Sequence, residues 1–82
     1  MDIEIQKEME RLKVKAELFL ENDIRAFIVD HSGTYFFCDI LLVGEIYLVV
    51  KSFEGKRKGE TDRILWVDIK ELKEYEGVGG GD

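Results

Sequence analysis

Residues Tyr35 to Val50 read YFFCDILLVGEIYLVV, two β-prone runs on either side of Val43-Gly44-Glu45, and this spacing predicts a long hairpin. Successive side chains of a strand point to opposite faces, so Phe36, Cys38, Ile40 and Leu42 share one face. That face is wholly apolar. In the second run Ile46, Leu48 and Val50 form one face, while Tyr47, Val49, Lys51 and Phe53 form a mixed one. The hairpin therefore has a dry side and an amphipathic side, and the flanking chain must cover the dry one.

Upstream, Arg25-Ala26-Phe27-Ile28-Val29-Asp30 is short, rich in β-branched residues and bounded by His31-Ser32-Gly33, where Gly33 suits a positive φ. This strand and the hairpin make a three-stranded meander. Downstream, Ile64 to Val67 predicts a fourth strand, Asp68-Ile69-Lys70-Glu71 fits the capping-box pattern of a single helical turn, and Leu72 and Tyr75 anchor a short fifth strand. Trp66 is expected at a packing boundary. The last stretch, GVGGGD from Gly77 to Asp82, has little to bury and is expected to be disordered.

Before the meander, Ile5, Met9, Leu12, Ala16 and Phe19 recur at alternating spacings of four and three, with Leu20 widening the stripe. This predicts a helix over about residues 3–21, stopped at Asn22-Asp23 and docked on the dry side of the sheet. Val14 and Leu18 lie off that stripe and would feed a second surface, for a partner helix. The expected fold is mainly β with an N-terminal α-helix, a five-stranded antiparallel bent-sheet small barrel forming one domain over residues 1–76.

Composition narrows the setting. An 82-residue chain holds one core, and Cys38 is its single cysteine, so no intrachain disulfide forms and the disulfide-rich secreted class is excluded. A reducing cytoplasm is the natural compartment. No apolar run approaches the roughly 20 residues a membrane span requires, and MDIEIQKEME is too acidic for a signal peptide. Polar surface drawn almost entirely from Glu, Lys, Asp and Arg, with one Asn and one Gln, leans towards a thermophile.

The net charge of -6 argues against nucleic-acid binding by the surface as a whole. One local excess of positive charge stands out. Between Lys51 and Arg63 the basic residues Lys51, Lys56, Arg57, Lys58 and Arg63 outnumber Glu54, Glu60 and Asp62, and Gly55 and Gly59 bracket the loop tip. Such a loop can lie against phosphates, with Phe53 or Tyr47 offering a stacking surface. It is not a phosphate-binding P-loop, because the glycine spacing before Lys-Ser or Lys-Thr is missing. His31 has Asp30, Cys38 and Asp39 nearby in sequence but no second histidine and no CxxC, so no catalytic residue, metal or cofactor is expected. Cys38, on the dry face, reads as a small buried hydrophobe.

The order of helix, three meandering strands, charged loop, strand, one turn and last strand resembles the Sm-like (Lsm) family and other SH3-like small barrels. AFIVDHSGTYFFCDI, from Ala26 to Ile40, is similar to that family's first motif, with Gly33 at its first glycine and Ile40 at its later leucine. The residues of the family's uridine pocket would fall near Gly44, Leu48, Asp68 and Ile69, and none of the four matches. The resemblance implies the fold and, from the family's pairing of fourth and fifth strands between subunits, a homo-oligomer. The functional expectation is a noncatalytic module that binds RNA or single-stranded nucleic acid through the basic loop. The alternative is an assembly module that forms a homo-oligomer through the helix stripe and the open edge of the last strand, with no nucleic-acid ligand.

Overall fold

The computed structural model describes residues 3–76. The glycine-rich stretch expected to be disordered lies outside them. A helix α1 (Ile3–Glu21) leads into five strands, β1 (Ala26–Asp30), β2 (Tyr35–Val43), β3 (Tyr47–Ser52), β4 (Thr61–Leu65) and β5 (Ile69–Glu74), with a 3-10 turn (Trp66–Asp68) between the last two. The strands form one antiparallel sheet in the order β4-β3-β2-β1-β5. Its first and last members do not pair, so the sheet is not closed into the expected barrel.

The connection between β4 and β5 nevertheless dictates a strong curl. These strands lie at opposite edges, yet only Trp66–Asp68 separate them. Four Cα steps span at most about 15 Å, whereas the edges of a flat five-stranded sheet stand roughly 19 Å apart. The sheet must bend until its edges approach. The crossover is bonded at both ends, Trp66 N–H to the Ile46 carbonyl at 3.0 Å and His31 N–H to the Asp68 carbonyl at 3.0 Å.

The concave side holds the core, in which Leu12, Ala16 and Phe19 of α1 pack over Ala26, Ile28, Phe36, Cys38, Ile40, Leu48, Val50, Ile64, Trp66, Ile69 and Leu72. Ala16, Ala26 and Cys38 are fully buried, small side chains among the large ones. Trp66 is 2% exposed, and its indole N–H donates to the Gly44 carbonyl at 2.9 Å. This bond satisfies the one polar atom of the largest buried ring and contributes about 1 kcal/mol.

The sequence pattern misassigns several residues. A β-bulge between Ile40 and Leu42 shifts the register, so Leu42 opposes Val49 on the outer side and Val43 turns inward to oppose Leu48. Leu42, assigned above to the dry face, is thus exposed. Ile46 lies in the turn and is 69% exposed, because Gly44 N–H bonds the Tyr47 carbonyl and closes the hairpin there. Trp66 and Val67 belong to the 3-10 turn, not to the fourth strand, and Ile69 begins β5 within the stretch that the capping-box pattern assigns to a helical turn. Ile5 and Leu20 are also exposed, since the buried stripe of α1 narrows to Leu12, Ala16 and Phe19. Val14 and Leu18 are exposed, as their position off the stripe requires.

Helix α1 stops as expected at Asn22-Asp23. Asp23 takes φ 55°, Ile24 N–H bonds the Phe19 carbonyl at 2.9 Å, and Asp23 N–H bonds that of Leu20 at 3.4 Å. This is a Schellman cap with aspartate where glycine is cheapest. Asp23→Gly is therefore expected to stabilise the fold by about 0.5–1 kcal/mol, read from urea unfolding. A Cβ on Gly44 would sit 2.8 Å from the Tyr47 carbonyl oxygen, so Gly44→Ala should destabilise by about 1–3 kcal/mol in the same assay.

Candidate nucleic-acid interface

The curl that encloses the core leaves the convex side of the sheet uncovered, since α1 packs only on the other. Residues alternating with the core set face outward there. Register places Phe27 opposite both Phe37 and Lys73, and Phe53 N–H bonds the Phe37 carbonyl at 3.0 Å. Lys73, Phe27, Phe37 and Phe53 thus form one row across β5, β1, β2 and the end of β3. Tyr75 N–H bonds the Arg25 carbonyl at 2.8 Å, and Asp39 opposes Lys51. Tyr75, Arg25, Asp39 and Lys51 make the adjacent row.

The rings of this face touch one another. Phe27 stacks on Phe37 with centroids 5.3 Å apart, and Tyr35 meets both, at 5.9 and 5.5 Å. Tyr75 stands edge-on to Phe37 at 5.5 Å and to Phe53 at 5.0 Å. Arg25 lies over the Phe53 ring at 4.2 Å, held from behind by Asp39 at 3.3 Å. Tyr35 is 59% exposed and the other four rings are half-buried. The Tyr75 hydroxyl donates to Glu54 at 3.2 Å, and packing around the ring together with that carboxylate pushes its phenol above the ordinary value. Offset and edge-on contacts of this kind each contribute about 0.5–1.5 kcal/mol, so the platform is held in shape without a ligand.

The residues that the sequence nominated divide over this surface. Lys51 and Phe53 belong to it. Tyr47 and Arg63 share the same side, Arg63 lying over the Tyr47 ring at 5.3 Å, but Tyr47 is six residues from Phe53 along β3, roughly 20 Å in an extended strand. Arg63 sits within β4, not in the loop. Lys56 and Lys58 are exposed at the loop tip, where Gly55 and Gly59 take φ 88° and 89°. Arg57 turns to the core side, 3.4 Å from Asp62 and 5.3 Å over the Phe36 ring. Phe27, Tyr35, Phe37, Tyr75 and Arg25 were not nominated. Their signal was their alternation with core residues, which places them on the face of Lys51 and Phe53.

His31 is exposed in a turn organised by Asp30, whose carboxylate accepts from the Ser32 hydroxyl at 2.7 Å and from the Ser32 and Thr34 amides. Those bonds, the Ser32 hydroxyl first, hold Asp30 below the usual carboxylate range. Among the described residues no group of three or more His, Cys, Asp or Glu side chains is placed to hold a metal ion, and no helix is long and apolar enough to cross a membrane. Comparison with protein-family models, with curated proteins and with solved structures finds no match.

Cys38 is fully buried, and burial first, then the charges of Asp39 and Asp62, push its thiol up to about 12 from 9.0. The folded chain keeps this proton after the unfolded chain has released it. The resulting stability is complete below pH 9.0 and is lost as pH rises through about 12. Unfolding free energy should therefore fall across this window, and Cys38→Ala should flatten that part of the pH profile in urea titrations.

Proposed function

We propose that this chain is a noncatalytic module of the Sm-like or SH3-like kind that binds single-stranded nucleic acid, RNA foremost, on the convex face of its sheet. The observation that carries this reading is the set of five touching, partly exposed rings with Arg25 laid over one of them. Unpaired bases present flat π-faces that stack on aromatic rings and guanidinium planes, and this recognition tolerates any base sequence. Lys51 and Lys73 flank the rings, and Lys56 and Lys58 extend the positive rim toward the loop tip. Phosphates on either side of a stacked base would meet these cations.

Charge placement supports the same reading. The chain carries -6 overall, yet Arg25, Lys51, Arg63 and Lys73 face outward on this side against Asp39, Glu71 and Glu54, the last bonded to the Tyr75 hydroxyl. A duplex keeps its bases stacked internally and cannot use the rings, so single strands are the preferred ligand. A second reading, an assembly module working as a homo-oligomer, is supported by the sheet's two open edges at β4 and β5.

Fluorescence anisotropy of a labelled RNA of about ten nucleotides tests the first reading. Loss of one stacking ring typically costs about 1–3 kcal/mol, so Tyr35→Ala or Phe53→Ala should weaken binding roughly 5- to 150-fold. Replacing Lys56 and Lys58 with Gln should lower the slope of log affinity against log salt by about 0.7 for each phosphate no longer neutralised. A chain that binds no oligonucleotide at low salt, or binds equally well without Tyr35 and Phe53, would dismiss this face as the site.

A further inference from the structure

The free edge of β5 is complementary to itself. From Lys70 to Glu74 the strand reads Lys-Glu-Leu-Lys-Glu, and reflection through Leu72 exchanges each cation for an anion. We propose that two copies of this chain pair antiparallel along β5, about a two-fold axis at Leu72, joining their sheets edge to edge.

Backbone geometry permits this register. Tyr75 N–H points at β1, where it bonds the Arg25 carbonyl. Alternation then turns the backbone groups of Lys73 and Glu71 toward β1 and those of Leu72 and Glu74 away from it. Lys70 falls at the register shift between Val29 and Asp30 and has no partner on β1, which frees it to face the same way. With the axis at Leu72, the two Leu72 residues form a hydrogen-bonded pair, and so does each Lys70 with the other copy's Glu74.

Glu71 then stands opposite Lys73 of the second copy in a non-hydrogen-bonded pair, the arrangement in which cross-strand side chains approach most closely. Within one copy Glu71 and Lys73 are already 3.7 Å apart on the convex side. Two such pairs meeting across the axis make a square of alternating charge. Every neighbouring choice of axis fails, because it sets Lys70, Glu71, Lys73 or Glu74 against its own copy. Like charges on an edge strand ordinarily discourage pairing; this order permits one partner in one register. The helix leaves room beside the strand, since a groove of about 230 Å³ lies between Glu8, Arg11 and Lys15 on α1 and residues Lys70 to Lys73 on β5.

The contact is short, so the dimer belongs to the weak, concentration-dependent class. It does not depend on nucleic-acid binding. Sedimentation velocity of the full chain from about 10 μM to 1 mM, without nucleic acid, provides the test.

Wild type should pass from monomer to dimer. Lys73→Glu and Glu71→Lys, each setting like charges across the axis at two places, should weaken association about tenfold or more. Mixing those two single variants should restore the dimer, because every cross-axis pair is then attractive. The double variant carrying both exchanges should dimerise like wild type. Circular dichroism of each variant checks that the monomer is folded, and where a single variant does not fold, the double variant against wild type decides. A chain that stays monomeric, closes into rings of more than two copies, or dimerises with an affinity that these exchanges leave unmoved would overturn the proposal.

Discussion

Three residues join the two edges of this sheet, and the rest of the architecture follows from how short that bridge is. Trp66–Asp68 cannot reach across five flat strands, so the strands roll until β4 and β5 come near each other. Rolling narrows the concave side. Large side chains at every inward position would not fit there, and the small side chains of Ala16, Ala26 and Cys38 are fully buried in it. Trp66 fills the space beneath its own crossover and is tied to Gly44, so the residue that forces the curl also helps to fill it.

Rolling has the opposite effect outside. On the convex side, side chains splay apart, and an aliphatic face there would lie open to water with gaps between its members. Aromatic rings bridge such gaps, because neighbours across strands can meet at 5–6 Å through edges and offset faces. The cluster thus has a structural role of its own. Packing for stability alone would favour covering the rings completely, and Tyr35 and its neighbours keep part of their surface in water. Arg25, fixed by Asp39 over Phe53, adds a cation at the margin of the exposed rings.

Much of this was legible in the sequence, and what was hidden has a common cause. Periodicity was enough for the helix, its stop at Asn22-Asp23, the meander and the presence of five strands, because each is written in local spacing. Leu42 and Ile46 were misread because a bulge and a turn each change the parity of alternation, and parity within one strand does not report them. The misplaced 3-10 turn has a similar origin: Asp68-Ile69-Lys70-Glu71 matches a helix start, but β1 offers Ile69 a strand partner in Asp30, and pairing prevailed over the local motif. The makeup of the convex face was half legible. Lys51 and Phe53 were found as parts of a basic segment, whereas Phe27, Tyr35, Phe37 and Tyr75 come from three other segments that only the register of the sheet brings together. Arg57 was grouped with Lys56 and Lys58 by sequence and separated from them by Asp62, whose half-buried carboxylate draws it to the other side.

The pairing proposed at the edge of this sheet would also act on its face. In the dimer proposed above, the two-fold axis would stand perpendicular to the joined sheet, so both convex faces would look the same way. Lys73 opposes Phe27 within each copy, so in that dimer it would lie next to the seam and the two sets of rings would become parts of one surface. A strand that reached from one set to the other would bind with an effective concentration set by the seam, not by the bulk, and two weak stacking sites would act as one stronger one. The ligand would in turn favour the paired state, since it gains the second site only there. Weak self-association would therefore suit such a surface: without ligand the two copies would pair only at high concentration, and a long single strand would draw them together at lower ones.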